Sequence, residues 1–171
     1  MTQPPAPRVV VVTGAASGIG FATAELFRDL GDEVFALDVA RSVPDGVTYL
    51  ECDVSQRAAV EAAIAACAAS GRIDVLANVA GVVQFGRFET ITDAEWDRVH
   101  AIDLKGPFLT MQAALPHLRA ARGVVVNVSS VAGLKAQPYT SAYSAAKGGL
   151  TMMTKALALE LAADGVRVNA I

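Results

Sequence analysis

The sequence predicts an α/β fold with a doubly wound parallel sheet, in which three layers place helices on both faces of the sheet. Val9–Val12 are four consecutive β-branched residues, which is typical of a strand buried on both faces of a parallel sheet. From Ile19 onward apolar residues recur at helical spacing, so a helix directly follows this strand. Strand and helix patterns then alternate along the chain, which favours right-handed βαβ crossovers.

Six strands and four helices are predicted from these two periodicities. The strands are predicted near residues 8–13, 33–38, 47–51, 73–78, 123–129 and 165–171. The helices are predicted near residues 18–30, 55–70, 92–119 and 141–163. Only thirteen residues separate Asp38 from Cys52, and they include the turn signal Pro44-Asp45-Gly46. The second and third strands are therefore predicted to be joined by a loop instead of a full crossover helix.

The long helix at 92–119 carries two local signals. The segment TDAE at Thr92–Glu95 fits a capping box that opens the helix. Gly106-Pro107 lies inside the same pattern and predicts a bend.

Length and composition predict one domain at residues 8–171, preceded by a disordered tail at residues 1–7 that contains three prolines. The net charge of −3 comes from dispersed residues, which gives no electrostatic footprint for nucleic acid or an anionic membrane. No apolar stretch approaches the roughly 20 residues that a membrane-spanning helix needs. Cys52 and Cys67 lack metal-type spacing, so we expect buried reduced thiols, no metal and a cytoplasmic location.

Three glycines lie where the first strand turns into the first helix, at Gly14, Gly18 and Gly20. Backbone amides at such a turn, with the positive end of the helix dipole behind them, form an anion site that a pyrophosphate can fill. Glycine is needed there because a Cβ would block the close approach. A glycine-rich tight turn without a ligand is the alternative interpretation.

An acidic residue about 20 positions after the glycines is expected to hold the adenosine ribose in a dinucleotide fold. Asp38 stands at this place, at the end of the predicted second strand. Its carboxylate would accept hydrogen bonds from the ribose hydroxyls and repel the 2′-phosphate of NADP, which favours NAD. Arg41 is the nearby basic residue that argues for NADP instead.

These residues belong to a set of motifs that follow one another along the chain from Thr13 onward. The motifs are TGxxxGIG at Thr13–Gly20, Asp53-Val54, NVAG at Asn78–Gly81, NVSS at Asn127–Ser130 and YSAAK at Tyr143–Lys147. Together they resemble the short-chain dehydrogenase/reductase family, which has a Rossmann-like NAD(P)-binding domain. The resemblance implies that the cofactor is bound by Thr13, Gly14, Ser17, Gly18, Ile19, Gly20, Asp38, Asp53, Val54, Asn78, Ala80, Gly81, Tyr143 and Lys147.

The resemblance also implies an acid–base site. Tyr143 and Lys147 are four residues apart on one predicted helix, so their side chains share a face. A free phenol releases its proton near pH 10, and a nearby ammonium favours the phenolate. Tyr143 would therefore be the general acid and base, with Lys147 also binding the nicotinamide ribose. Ser130 would hold the substrate oxygen.

Two positions depart from the family pattern. The family has an Asn in a segment that resembles AIDLKGPF, and here that fourth catalytic position is Asp103. An ionised carboxylate only accepts hydrogen bonds, and beside Lys147 it would hold the ammonium more tightly. Val79 replaces a second Asn of the family's NNAG segment, which we expect to be a milder change.

The resemblance implies a longer protein. Family members continue beyond the segment GVRVNAI with a Pro-Gly turn, a substrate loop and a seventh strand, so we expect this chain to be truncated within the sixth strand. A complete product that dimerises across this edge is the alternative. Substrate identity would depend on the absent loop.

Other chemistry-bearing residues are predicted to be structural. His100 and His117 fall in the long helix without acidic or thiol partners, which indicates surface histidines. Core or subunit-packing positions are expected for Trp96, Met111, Met152 and Met153. The resemblance implies a homodimer or homotetramer through what the family numbers as its fourth and fifth helices.

Two functions remain open at this point. The first is an NAD-dependent oxidoreductase that interconverts a secondary alcohol and a ketone by hydride transfer. The second is a non-catalytic dinucleotide-binding or scaffold module, which Asp103 and the missing C-terminal part favour.

Overall fold

The structure is a computed structural model that describes residues 6–171. Residues 1–5 of the predicted disordered tail at residues 1–7 therefore lie outside the described residues. Residues 6–8 run without regular structure into the first strand.

Within residues 6–171 the chain forms a parallel sheet of six strands in the order β3-β2-β1-β4-β5-β6. The strands are β1 Val9–Thr13, β2 Glu33–Asp38, β3 Thr48–Glu51, β4 Val75–Asn78, β5 Val124–Asn127 and β6 Arg167–Ala170. The chain moves outward from β1 to β3 and then returns to the other side of β1, so the order reverses between β1 and β4. This switch point is where open α/β sheets bind their ligands.

The strand register aligns the carboxyl ends of the central strands side by side. Thr13 of β1 lies beside Asn78 of β4, and Asn78 lies beside Asn127 of β5. All five residues of β1 are buried, and they alternate between two apolar layers. Val9 and Val11 face the larger core cluster, while Val10 and Val12 face the smaller one. The predicted doubly wound Rossmann-like sheet is therefore confirmed.

Five α-helices flank the sheet within the described part of the chain. They are α1 Gly18–Asp29, α2 Arg57–Cys67, α3 Asp93–His100, α4 Gly106–Ala121 and α5 Ser141–Glu160. The link between β2 and β3 is a loop without a helix, as the turn signal predicted, and Gly46 takes a positive φ of 81° within it. None of the described helices is both long enough and apolar enough to cross a membrane.

The long helix predicted at 92–119 is not one regular helix. It opens with the predicted capping box, in which the Glu95 N–H donates to Thr92 Oγ1 and the Thr92 N–H donates to the Glu95 carboxylate. A π-helical segment at Ala101–Lys105 then separates α3 from α4. The irregularity therefore comes before Gly106-Pro107, where a bend was predicted. A π-helical turn inserts extra chain into the helix and is frequent at functional sites.

The four residues predicted at core or subunit-packing positions divide between the core and the surface of this chain. Met111 lies in the core, and Met153 packs against it. Trp96 is 40% exposed and Met152 is 63% exposed, so within this chain they are not core residues. Residue type alone does not specify which side of an amphipathic helix meets the sheet.

Cys52 and Cys67 are free and buried, as predicted. Burial raises the pKa of the Cys52 thiol to about 11 and that of the Cys67 thiol to about 12. Both are therefore protonated and unreactive near neutral pH.

Candidate dinucleotide and acid–base site

A cavity of about 460 Å³ opens at the carboxyl edge of the sheet, beside the switch point between β1 and β4. Ten of the fourteen residues that the family resemblance assigned to the cofactor line this cavity. They are Gly14, Ser17, Gly18, Ile19, Gly20, Asp38, Asp53, Val54, Ala80 and Gly81. The turns after the first four strands thus converge on one space.

The glycine turn allows backbone segments to approach each other closely. Gly14 has φ of 67°, and a Cβ there would lie 2.6 Å from Ala80 Cα. A Cβ on Gly20 would lie 2.0 Å from the Gly14 carbonyl oxygen. Gly18 also lines the cavity, and a Cβ there would meet no protein atom within 4 Å. Gly14 and Gly20 are therefore required by packing, while Gly18 borders open space.

The start of α1 presents free backbone donors to this space. The first N–H of the helical ladder is that of Phe21, which donates to the Ser17 carbonyl oxygen. The amides of Gly18, Ile19 and Gly20 precede that bond and lie at the positive end of the helix dipole. Such a terminus binds a phosphate or pyrophosphate group.

Asp38 ends β2 and lies at one end of the cavity. The Ala16 N–H donates to Asp38 Oδ2 at 2.9 Å, and the Ala40 N–H donates to Oδ1 at 3.0 Å. These bonds fix the carboxylate, and each oxygen keeps capacity for another donor. The Arg41 guanidinium lies 5.8 Å from the centroid of the Tyr49 ring, so it stacks beside this end of the cavity.

Asp53 and Val54 follow β3 and line the same cavity. Asp53 Oδ1 accepts hydrogen bonds from the Ser55 N–H at 2.9 Å and from the Ser55 hydroxyl at 2.7 Å. Val54 lies against Gly106, where an added Cβ would be 3.0 Å from Val54 Cγ2. A larger residue at the start of α4 would therefore displace this wall.

Thr13 and Asn78 do not line the cavity, although the family resemblance assigned both to the cofactor. Thr13 Oγ1 accepts the N–H groups of Val79 and Ala80, each at 3.1 Å. Asn78 is buried, and its side chain bonds other side chains behind the cavity. Both residues shape the wall from behind.

Asn78 belongs to a buried chain of hydrogen bonds that sequence reasoning missed. Thr110 Oγ1 donates to Asn78 Oδ1 at 2.7 Å, and Asn78 Nδ2 donates to Asn127 Oδ1 at 2.9 Å. Asn127 Nδ2 in turn donates to Thr154 Oγ1 at 2.9 Å. The chain joins α4, β4, β5 and α5. Its members lie far apart in sequence, and only the strand register brings them together.

The helix α5 carries Tyr143 and Lys147 on one face. Lys147 Nζ lies 5.7 Å from the centroid of the Tyr143 ring and donates to the Val128 carbonyl oxygen at 2.8 Å. Val128 and Gly81 line the cavity, and a Cβ on Gly81 would lie 3.4 Å from Lys147 Nζ. The ammonium is therefore adjacent to the inner end of the cavity, although Tyr143 and Lys147 do not line the cavity itself.

Ser130 follows β5 and caps a short 3₁₀ turn at Val131–Gly133. Its hydroxyl accepts the Ala132 N–H at 3.1 Å. Gly133 allows this turn to pack closely against α5, because a Cβ at this position would lie 2.7 Å from the Lys147 carbonyl carbon. The turn thus fixes Ser130 relative to the helix that carries Tyr143 and Lys147.

Asp103 lies in the π-helical segment and contacts Lys147. Its side chain is fully buried, with 0% exposure, and Lys147 is 4% exposed. The Val82 N–H donates to Asp103 Oδ1 at 2.8 Å, while Oδ2 lies 3.2 Å from Lys147 Nζ without an aligned hydrogen bond. Burial raises the pKa of the Asp103 carboxyl, and the Lys147 ammonium and the Val82 amide oppose that shift. We refer to Asp103, Ser130, Tyr143 and Lys147 as the Lys147 corner.

Sequence reasoning also missed Arg98 and Ile102, which line the cavity from α3 and the π-helical segment. Their spacing of four residues, which places both on one helix face, was the available signal. The predicted surface histidines lie elsewhere. The His100 ring stacks on Trp96 with 4.2 Å between ring centroids, and His117 Nδ1 lies 3.4 Å from the Gly71 carbonyl oxygen.

An open parallel sheet with a glycine turn and an acidic residue at its switch point defines the Rossmann-like, dinucleotide-binding class. The sequence matches the short chain dehydrogenase family over residues 8–171. It is 42% identical to cis-4-hydroxycyclohexanecarboxylate dehydrogenase of Sinomonas cyclohexanicum over 97% of this chain. It is 40% identical to 2-(R)-hydroxypropyl-CoM dehydrogenase of Xanthobacter autotrophicus over 96% of this chain. The chain therefore belongs to the short chain dehydrogenase family, whose members bind nicotinamide dinucleotides.

A solved structure agrees with this assignment. Aldohexose dehydrogenase of Thermoplasma acidophilum, in its ligand-free form, matches with a TM-score of 0.91 and 35% identity over 96% of this chain. The chain spans 65% of that protein's length and 72% of the length of each of the two dehydrogenases named above.

Proposed function

We propose that the protein is an NAD-dependent oxidoreductase that interconverts a secondary alcohol and a ketone. The observation that carries the proposal is the position of Lys147 Nζ. It donates a hydrogen bond to the Val128 carbonyl oxygen at the wall of the cavity and lies 5.7 Å from the centroid of the Tyr143 ring. One ammonium thereby adjoins both a dinucleotide-sized cavity and an acid–base side chain.

The residues around the cavity fit a nicotinamide dinucleotide. The N–H groups at the start of α1 would bind the pyrophosphate, and Asp38 would accept hydrogen bonds from the adenosine ribose. Asp53 and Val54 would border the adenine, and Lys147 would bind the nicotinamide ribose. When bound, the nicotinamide accepts or supplies the hydride.

The chain's own residues would then perform the proton chemistry. The Ser130 hydroxyl would donate a hydrogen bond to the substrate oxygen and hold it near Tyr143. In alcohol oxidation the Tyr143 phenolate oxygen would accept the hydroxyl proton, and in ketone reduction the phenol would return it. Lys147 would stabilise the phenolate by its positive charge.

The preference for NAD over NADP rests on Asp38. Its carboxylate is fixed at the end of the cavity by two backbone N–H groups and carries a negative charge toward any 2′-phosphate. Arg41 is the opposing cation, and its stacking on Tyr49 gives it a partner other than the ligand.

Two relatives support a secondary alcohol as substrate, because their names describe dehydrogenases of hydroxylated compounds.

The second candidate function is a non-catalytic dinucleotide-binding module. It is favoured by the Asp103 carboxylate, which competes with Tyr143 for the charge of Lys147.

NADH formation over a panel of secondary alcohols distinguishes the two functions. Wild-type protein is expected to reduce NAD with at least one alcohol, and Tyr143→Phe is expected to lose at least about 100-fold in rate, as general acid–base catalysis contributes that much or more. Calorimetry should find that both proteins still bind NADH. Binding without turnover by wild type across the panel would favour the non-catalytic module.

A homodimer is part of the same proposal. A groove of about 540 Å³ runs across α3, the π-helical segment, α4 and α5, and its lining includes Leu104, Phe108 and Met153. Exposed Trp96 and Met152 lie on the helices that border it. Packing against a second copy would cover this apolar surface. Sedimentation of wild type and Phe108→Glu tests the proposal, which is contradicted if both run as monomers.

The buried free thiols support a cytoplasmic location.

A further inference from the structure

The ion pair between Asp103 and Lys147 is buried, with side-chain exposures of 0% and 5%. Two charged side chains of other elements face Asp103, namely Lys147 from α5 and Arg98 from α3. The loop after β4 contributes only the Val82 N–H, and β5 is followed by the Val128 carbonyl oxygen that accepts from Lys147. With so little solvent, the charges of this pair are screened mainly by each other.

The two carboxylate oxygens of Asp103 have different tasks. The Val82 N–H holds Oδ1, which fixes the carboxylate plane and leaves Oδ2 directed at Lys147 Nζ. An amide in this place would keep a hydrogen-bonding group on either side but would bring no negative charge. The property that distinguishes Asp103 from an Asn is therefore its charge near the ammonium.

We propose that Asp103 is a positioning residue that acts through Lys147 and sets the pH range in which Tyr143 exchanges its proton. This inference rests on the proposed oxidoreductase function. The negative charge of Asp103 offsets the positive charge of Lys147, so Tyr143 faces a nearly neutral pair instead of a lone ammonium. The phenolate is then stabilised less, and the phenol persists to higher pH.

This arrangement affects the two directions of the reaction differently. Alcohol oxidation needs the Tyr143 phenolate, which takes the proton of the substrate hydroxyl while the hydride leaves the carbinol carbon for the nicotinamide. Ketone reduction needs the phenol, which gives its proton to the oxygen as the hydride reaches the carbonyl carbon. Asp103 therefore extends the range of ketone reduction upward in pH and restricts alcohol oxidation on the acid side.

The test compares the pH dependence of kcat/KM for alcohol oxidation in wild type and Asp103→Asn. The acid limb is expected to move to lower pH by about one unit, the size of effect that a charge within several ångströms produces. Asp29→Asn is the matched control, because Asp29 is 61% exposed on its side chain and bonds only the adjacent Arg28. Coincident acid limbs in all three proteins would overturn the proposal.

A second measurement does not need turnover. The chain contains three tyrosines, so ¹³Cζ-labelled tyrosine gives three NMR signals, and Tyr143→Phe identifies one of them. In Asp103→Asn the Tyr143 signal is expected to reach its phenolate position at lower pH than in wild type, while Tyr49 and Tyr139 behave alike in both. This shift without any turnover by wild type would support the charge coupling and reject the proposed function. Turnover with no shift would keep the function and overturn the inference.

Discussion

The cavity at the carboxyl edge of the sheet and the Lys147 corner are adjacent, but different interactions stabilise them. Around the cavity the decisive contacts are between backbone atoms, such as Gly14 against Ala80 and Gly20 against the Gly14 carbonyl oxygen. In the Lys147 corner the decisive contact is a buried ion pair, 3.2 Å between Lys147 Nζ and Asp103 Oδ2. The first region therefore depends on the absence of side chains, and the second depends on the balance of two charges.

Removing one charge of the ion pair is expected to have the largest effect on stability. Lys147→Met leaves Asp103 as a buried carboxylate without its partner, which should lower the free energy of unfolding by about 3 kcal/mol. The double variant with Asp103→Asn should recover part of this loss, because no uncompensated charge remains. Urea unfolding of the wild type, both single variants and the double variant gives the coupling between the two residues. Additive losses would contradict a charge-balanced corner.

Adding one methyl group to the glycine turn tests the backbone contacts of the cavity. Gly20→Ala places a Cβ 2.0 Å from a carbonyl oxygen, so we expect a loss of about 2 kcal/mol in stability and loss of NADH binding. Gly31→Ala is the control, since Gly31 has φ of 86° with open space around it and lies away from the cavity lining. It should lose about 1 kcal/mol from backbone strain and bind NADH normally. Equal binding by both variants would contradict the packing argument.

Asp38→Ala tests the outer end of the cavity, where a charge is combined with backbone contacts. NAD should bind more weakly by about 1–2 kcal/mol. The difference in binding free energy between NAD and NADP should decrease, because the repulsion of the 2′-phosphate is lost. Calorimetric titration of both cofactors into both proteins measures these changes. A wild type that already prefers NADP would show that Asp38 does not select the cofactor.

The smallest expected effect is a pH dependence that reports the balance of forces on Asp103. Burial raises the pKa of its carboxyl above the ordinary value of 3.8, so the folded state holds the proton more tightly than the unfolded state. The contribution of Asp103 to stability should therefore fall as pH rises from 3.8 through the raised pKa of the folded state. Urea unfolding at several pH values should show wild type losing stability relative to Asp103→Asn over this window. A gain with rising pH would mean that Lys147 outweighs burial.

The same contrast explains what the sequence predicted well. The turn from β1 to α1 was predicted closely, because a change of period and three glycines are local signals. The end of β2 at Asp38 and the capping box at Thr92 were also predicted from neighbouring residues. Each of these features is defined by residues within one or two turns of chain.

Features that depend on distant partners were not predicted. The π-helical segment at Ala101–Lys105 contains no glycine or proline that would mark an interruption, so the sequence predicted one helix at 92–119 with a bend only at Gly106-Pro107. The hydrogen bonds from Asn78 to Asn127 and Thr110 require the strand register and the packing of α4. Arg98 lines the cavity only because the fold places α3 beside it.

Because Gly133 contacts α5, Ser130 and Tyr143 are each positioned without help from the chain that connects them. Ser130 is fixed by the 3₁₀ turn that Gly133 presses against Lys147, and Tyr143 is fixed by the helix itself. Residues 134–139 between them are exposed and have no part in that contact. Loops of this kind tolerate changes in length and sequence. Changes in the length or sequence of residues 134–139 should therefore leave the positions of Ser130 and Tyr143 unchanged.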